Sequence, residues 1–181
     1  MSAVVSIFAI LCPVEAWAVS FVDARELVIS GELQGASCDV SLSGGGQGAV
    51  QLPPVNVGQL EMPGNTAGRV DFLITVINCR HVTNGLRLFF DHNGLSTVAA
   101  SGRLRNVAPL GAAQNVELEL LNANSGPIDL RGVGGDAQGT GDIAVPVNGS
   151  AAIPFSVRYY ATGLATVGSV ASSIIYGVEY D

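Results

Sequence analysis

An all-β sandwich is the fold class that the sequence predicts, and three observations carry the prediction. Helical periodicity is nearly absent, whereas apolar and polar residues alternate with period two in run after run. The runs are separated by turn-forming residues, with 23 Gly and 8 Pro among 181 residues. Apolar residues make up 48% of the chain and charged residues 13%, against roughly 25% charged in an average soluble protein. That balance supplies a core and excludes an intrinsically disordered chain. The length fits one domain.

The elements follow in order. Residues 1–18 (MSAVVSIFAILCPVEAWA) hold an apolar core from Val4 to Val14, too short to span a bilayer. It ends in Ala16-Trp17-Ala18, the small-x-small pattern of a signal-peptide cleavage site. Cleavage after Ala18 is expected, and it removes Cys12 and the sole Trp. Leu27, Ile29 and Leu33 then alternate with polar neighbours, with Gly31 in register, and read as a first strand. Val70 to Ile77 (VDFLITVI) is a strand leading into Cys79, and Leu86 to Phe90 (LRLFF) is another. In Val116 to Leu120 the apolar residues share one face, and Glu117 and Glu119 share the other, expected to be solvated. Ile128 to Leu130 reads as a short strand. Ala151 to Tyr160 (AAIPFSVRYY) is long, with Pro154 pointing to an edge or a bulge. Val170, Ile174, Tyr176, Val178 and Tyr180 fall on one face of a final strand that Ser172 interrupts. The Gly-rich stretches at 44–48 and 132–141 read as surface loops.

The two cysteines left after cleavage, Cys38 and Cys79, form an even pair in an exported chain. A disulfide is expected, contributing about 4 kcal/mol through loop closure. Two buried thiols are the weaker alternative.

Composition narrows the chemistry. Net charge is −7, and all eight basic residues are Arg, so a P-loop lysine, a Schiff-base lysine or a polybasic nucleic-acid patch has no residues to build it. Two His, His81 and His92, and no CxxC leave no metal site, and no cofactor is called for. No nucleophile signature such as GxSxG is present. Asp136 and Asp142 are too sparse for a calcium loop. Tyr159-Tyr160 could form a sugar platform, although alternation turns one of the two into the core. Asn148-Gly149-Ser150 matches a glycosylation sequon.

The ends of the chain carry the functional signal. The last strand is long, apolar on one face, and followed by nothing that could pair with its outer edge. Such an edge is an aggregation hazard unless it is covered. A spare alternating strand at the other end suggests strand addition between copies, a head-to-tail contact that builds filaments.

In these residues the chain resembles the pilin subunits of chaperone–usher fimbriae of the type 1 family, over nearly all of the mature sequence. Gly31-Glu32-Leu33 ahead of Cys38 is similar to the family's N-terminal extension. Val76-Ile77-Asn78-Cys79 is similar to its second strand, and Ile153-Pro154-Phe155 through Arg158-Tyr159-Tyr160-Ala161-Thr162-Gly163 to its penultimate strand. Gly168 is fourteenth from the end and Tyr180 penultimate. The resemblance implies an immunoglobulin-like sandwich lacking one strand, completed by a neighbour. It implies three segments: a signal peptide at 1–18, a donor-strand extension at 19–35 and a pilin domain at 36–181. Leu27, Ile29 and Leu33 would fill the groove, with Gly31 at its shallowest point. Gly168, Val170, Ile174, Tyr176, Val178 and Tyr180 would mark the groove-edge strand that first meets a periplasmic chaperone, with the Asp181 carboxylate held by chaperone cations. An outer-membrane usher would then exchange the chaperone for the next pilin subunit. The expectation is a non-enzymatic shaft or adaptor subunit, exported through the periplasm to a surface fimbrium. A self-contained secreted carbohydrate-binding sandwich is the alternative, and a hydrolase using Glu117 or Glu119 is weaker still.

Overall fold

Alternating hydrophobicity becomes two antiparallel sheets in the computed structural model, which describes residues 35–43, 48–82, 85–91, 97–144 and 149–180. All of these fall in one of the chain's two compact units, Gln34–Asp181. The strands are β1 (Ser37–Ser43), β2 (Thr66–Arg80), β3 (Leu86–Asp91), β4 (Leu104–Arg105), β5 (Val116–Leu121), β6 (Asp142–Ile143), β7 (Ala151–Ala161) and β8 (Ile175–Tyr180). One sheet has the order β1-β2-β7-β5-β4 and the other β6-β3-β8. The described residues also hold one short helix, α1 (Gly134–Gln138), and a 3-10 turn at Val57–Leu60.

The core lies between the sheets, where inward residues of both interdigitate. Ile74 and Val76 of β2, Leu86 and Leu88 of β3, and Leu118 and Leu120 of β5 are buried there. Phe90 meets Phe155 edge-on across the sandwich at 5.4 Å, and Phe72 stacks on Phe155 at 6.0 Å. The Cys38–Cys79 disulfide joins β1 to β2, with the two Cα atoms 4.1 Å apart.

β2 runs further than the hydrophobic stretch, because a bulge between Ala67 and Val70 lets the strand bend and continue. Gly68 makes the bulge possible: its φ is +62°, and a Cβ there would sit 2.8 Å from the Tyr159 ring. Pro154 is tolerated in β7 because β5 pairs only with Ser156–Ala161, so β7 is locally an edge at Pro154.

Three expectations change. Ile128 and Leu130 are buried but form no strand; their N–H groups bond Leu120 O and Gly102 O from a turn. The final strand begins at Ile175. Gly168 to Ala171 run instead beside residues 107–113, with Ser169 N–H donating to Gly111 O and Val107 N–H to Ala171 O. An extended loop that buries alternate residues carries the same period-two signature as a strand. The Gly-rich stretch at 132–141 is docked structure and includes α1.

Candidate functional site

β8 is where the sandwich is incomplete. It pairs with β3 in register from Leu86↔Tyr180 to Asp91↔Ile175, and no described strand lies on its other side. In an antiparallel ladder a residue's N–H and C=O point to the same side, and successive residues alternate. Phe90 N–H and C=O face α1. Phe89 and Arg87 therefore bond β8 through Gly177 and Glu179. Tyr176, Val178 and Tyr180 are left presenting their N–H and C=O groups at the open edge. Their side chains, like that of Ile174, pack against the core without being fully buried.

Beside this edge the core is open. A groove of about 290 Å³ has walls formed by Ile174 and Tyr176 on one side and by Leu42, Val50 and Leu52 on the other. Its floor includes Phe72, Ile74, Leu118 and Val157. Ser172 also lines it, and its buried hydroxyl has no hydrogen-bond partner. At the far end β1 approaches β8, where Cys38 N–H donates to the Tyr180 hydroxyl at 2.6 Å. The disulfide ties the same residue to β2, so the groove wall formed by β1 is anchored at that end.

The expected residues divide. Ile174, Tyr176, Val178 and Tyr180 come together along the edge, and Cys38 and Cys79 are bonded. Val170 sits in a second apolar cluster with Leu60, Ala113, Val116 and Ala165, and Gly168 is in the loop beside it. A Cβ on Gly168 would lie 2.4 Å from Ala113 N, so that loop pairing requires glycine. Leu27, Ile29, Gly31, Leu33, Asp181 and His92 lie outside the described residues.

The remaining candidates are engaged in structure. Glu119 is buried rather than solvated: Arg103 Nε donates to it at 2.8 Å and Arg158 Nη2 at 2.6 Å. Glu117 accepts from the Ser101 hydroxyl at 2.7 Å. Tyr160 lies 3.5 Å beneath the Arg103 guanidinium, while burial pushes the Tyr159 phenol up in pKa and its hydroxyl donates to Pro53 O. Asp142 is ion-paired with Arg87. Sequence reasoning missed the arginine cover of Glu119, because the pairing Glu119↔Arg158 exists only once the β5–β7 register is known.

No family model matches the chain. The major fimbrial subunit SMF-1 of Stenotrophomonas maltophilia is 32% identical over 157 residues, which is 86% of this chain and 91% of that protein. This chain belongs to the fimbrial subunit family. The type-1 fimbrial protein A chain of Escherichia coli (strain K12) agrees, at 29% identity over 168 residues, 90% of this chain and 87% of the relative. The pilin fold recurs in solved structures. The type I fimbria protein BPSL1626 of Burkholderia pseudomallei superposes with a TM-score of 0.55 at 18% identity, over 81% of this chain and 100% of that one. The P pilus rod subunit PapA gives 0.54 at 14% identity, over 86% and 100%. The pilin is thus a structural subunit of a surface fimbrium and not an enzyme, and its fold is the immunoglobulin-like sandwich of chaperone–usher pilins.

Proposed function

We propose that this pilin polymerises head-to-tail by accepting a neighbour's N-terminal strand along β8. The carrying observation is the apolar groove beside an edge that no described strand pairs, where Tyr176, Val178 and Tyr180 of β8, and Ile174 just before it, are only half-buried. Backbone bonds to the outward groups of Tyr176, Val178 and Tyr180 supply affinity of a sequence-independent kind, and alternate side chains entering the groove supply specificity. The donor is the extension at 19–35. Leu27, Ile29 and Leu33 enter the groove, each contributing about 1.5–3 kcal/mol on burial. Gly31 passes the shallowest point. An incoming backbone also brings a partner within reach of the orphaned Ser172 hydroxyl.

Before assembly, a periplasmic chaperone covers the same groove with its own strand and holds the Asp181 carboxylate with cations. An outer-membrane usher exchanges that strand for the next subunit's extension. Because this chain can both donate and accept, it serves as a shaft or adaptor subunit.

Fibre assembly by three exported chains tests the reading: the wild type, one lacking residues 19–35, and Gly31→Leu. Fibres are expected from the first alone, with Gly31→Leu still yielding folded subunits. Fibres of normal length from the deleted chain would contradict donor-strand exchange.

A further inference from the structure

We propose that Gln138 and Thr140 are edge-specificity residues, occupying the outer edge of β3 in place of a strand and so confining strand addition to β8. This rests on the reading that subunits join at β8, and it concerns the edge that is denied to them.

β3 is a regular strand of strongly apolar sequence, LRLFFD. β6 pairs only with Leu86 and Arg87, so no described strand flanks the rest of β3 on that side. A bare edge of this kind is a template for unwanted pairing. Three of its outward groups are instead taken by side chains. Phe90 N–H donates to Gln138 Oε1 at 2.8 Å, and Gln138 Nε2 donates back to Phe90 O at 2.6 Å. That donor-and-acceptor pair is what a facing strand residue would offer. A primary amide can imitate a peptide group in this way, whereas an apolar filler cannot. Thr140 Oγ1 donates to Leu88 O at 2.5 Å. Both residues are buried, Gln138 at 2% exposure.

The segment that carries them has little reason to fold alone. α1 is five residues long and begins with two glycines, well below the length at which a helix persists in water. Docking on β3 accounts for it. Gly135 permits the approach, since a Cβ there would lie 2.6 Å from Leu88 O.

The test compares full-length mature wild type with Gln138→Ala/Thr140→Val and with Gln138→Lys. In the double variant, hydrogen exchange at the Phe90 amide should accelerate at least tenfold, and lateral bundling of fibres, read by electron microscopy and light scattering, should rise severalfold. Gln138→Lys loses the same amide bonds but sets a charge beside the edge. Phe90 exchange should stay fast there while bundling returns to the wild-type level. Three results would overturn the proposal: fast exchange with unchanged bundling in the double variant, equal bundling in both variants, or failure of the double variant to fold, which would make the pair a folding element. Fibres that survive deletion of residues 19–35 would refute the β8 reading separately, leaving the exchange result intact.

Discussion

β3 and β8 lie side by side in one sheet, and each has a second edge facing away from the other. On β3 that edge is covered: β6 takes its first residues, the Gln138 amide takes the N–H and C=O of Phe90, and the Thr140 hydroxyl takes the Leu88 carbonyl. On β8 no described strand pairs with the edge, and the side chains behind it stand half-buried over an open groove. The backbone chemistry of the two edges is identical. What differs is that described residues of this chain close the β3 edge, whereas no described strand closes that of β8. Under the proposed function, the edge left open among the described residues receives an external strand, and the edge closed by buried polar side chains does not.

The largest perturbation of this contrast is loss of the disulfide. Cys38→Ser frees the β1 wall that faces β8, and the isolated subunit should lose about 4 kcal/mol of stability in chemical denaturation. Unchanged stability would mean that β1 is held without Cys79. A pair of truncations separates the two edges directly. Leu88, fully buried behind the closed edge, should cost about 2–5 kcal/mol on conversion to Ala, whether or not the groove is filled. Ile174→Ala should cost under about 1 kcal/mol in the lone subunit and about 2 kcal/mol once a strand covers it. Equal costs for Ile174→Ala in both states would show that the β8 side is already closed.

Smaller effects serve as controls away from both edges. Glu119→Ala strands Arg158 and leaves Arg103 only its longer pair with Glu117; the two arginines are 30% and 22% exposed, so a loss on the order of 1–3 kcal/mol is expected, independent of groove filling. Smallest is an acid effect at Asp129. Hydrogen bonds from Arg131 hold its carboxyl at about 2, below the ordinary 3.8. A depressed carboxylate pKa stabilises the fold above the ordinary value and is lost as pH falls through the folded one. Asp129→Asn should therefore flatten the decline in stability between about pH 4 and pH 2, and should do so equally with the groove empty or filled. An identical acid decline in the variant would remove Asp129 from the account.

The long strands were legible because period-two alternation survives wherever one face is buried. VDFLITVI, LRLFF, VELEL and AAIPFSVRYY all became strands. β1 carried the same signal, with Cys38, Val40 and Leu42 alternating against Ser and Asp, and it went unread beside the cysteine. β4 and β6 are two residues each, too short for any period. α1 has two glycines and no helical pattern, and only its docking on β3 creates it. The start of the last strand was misread because Val170 is half-buried from a loop, between the main core and a second cluster. Glu119 looked solvated because alternation tells which face a residue occupies, not whether arginines cover that face. For the groove, alternation marked Ile174, Tyr176, Val178 and Tyr180 as one face; that no described strand flanks them required the sheet order.

The most direct measurement is thermal unfolding of residues 36–181 alone, and of the same body with residues 19–35 appended after Asp181 through a short flexible linker. The appended strand should convert a marginally stable, aggregating subunit into a monomer that unfolds cooperatively at much higher temperature. Two monomers with similar midpoints would mean that the sandwich is complete without a donor, contradicting the central claim.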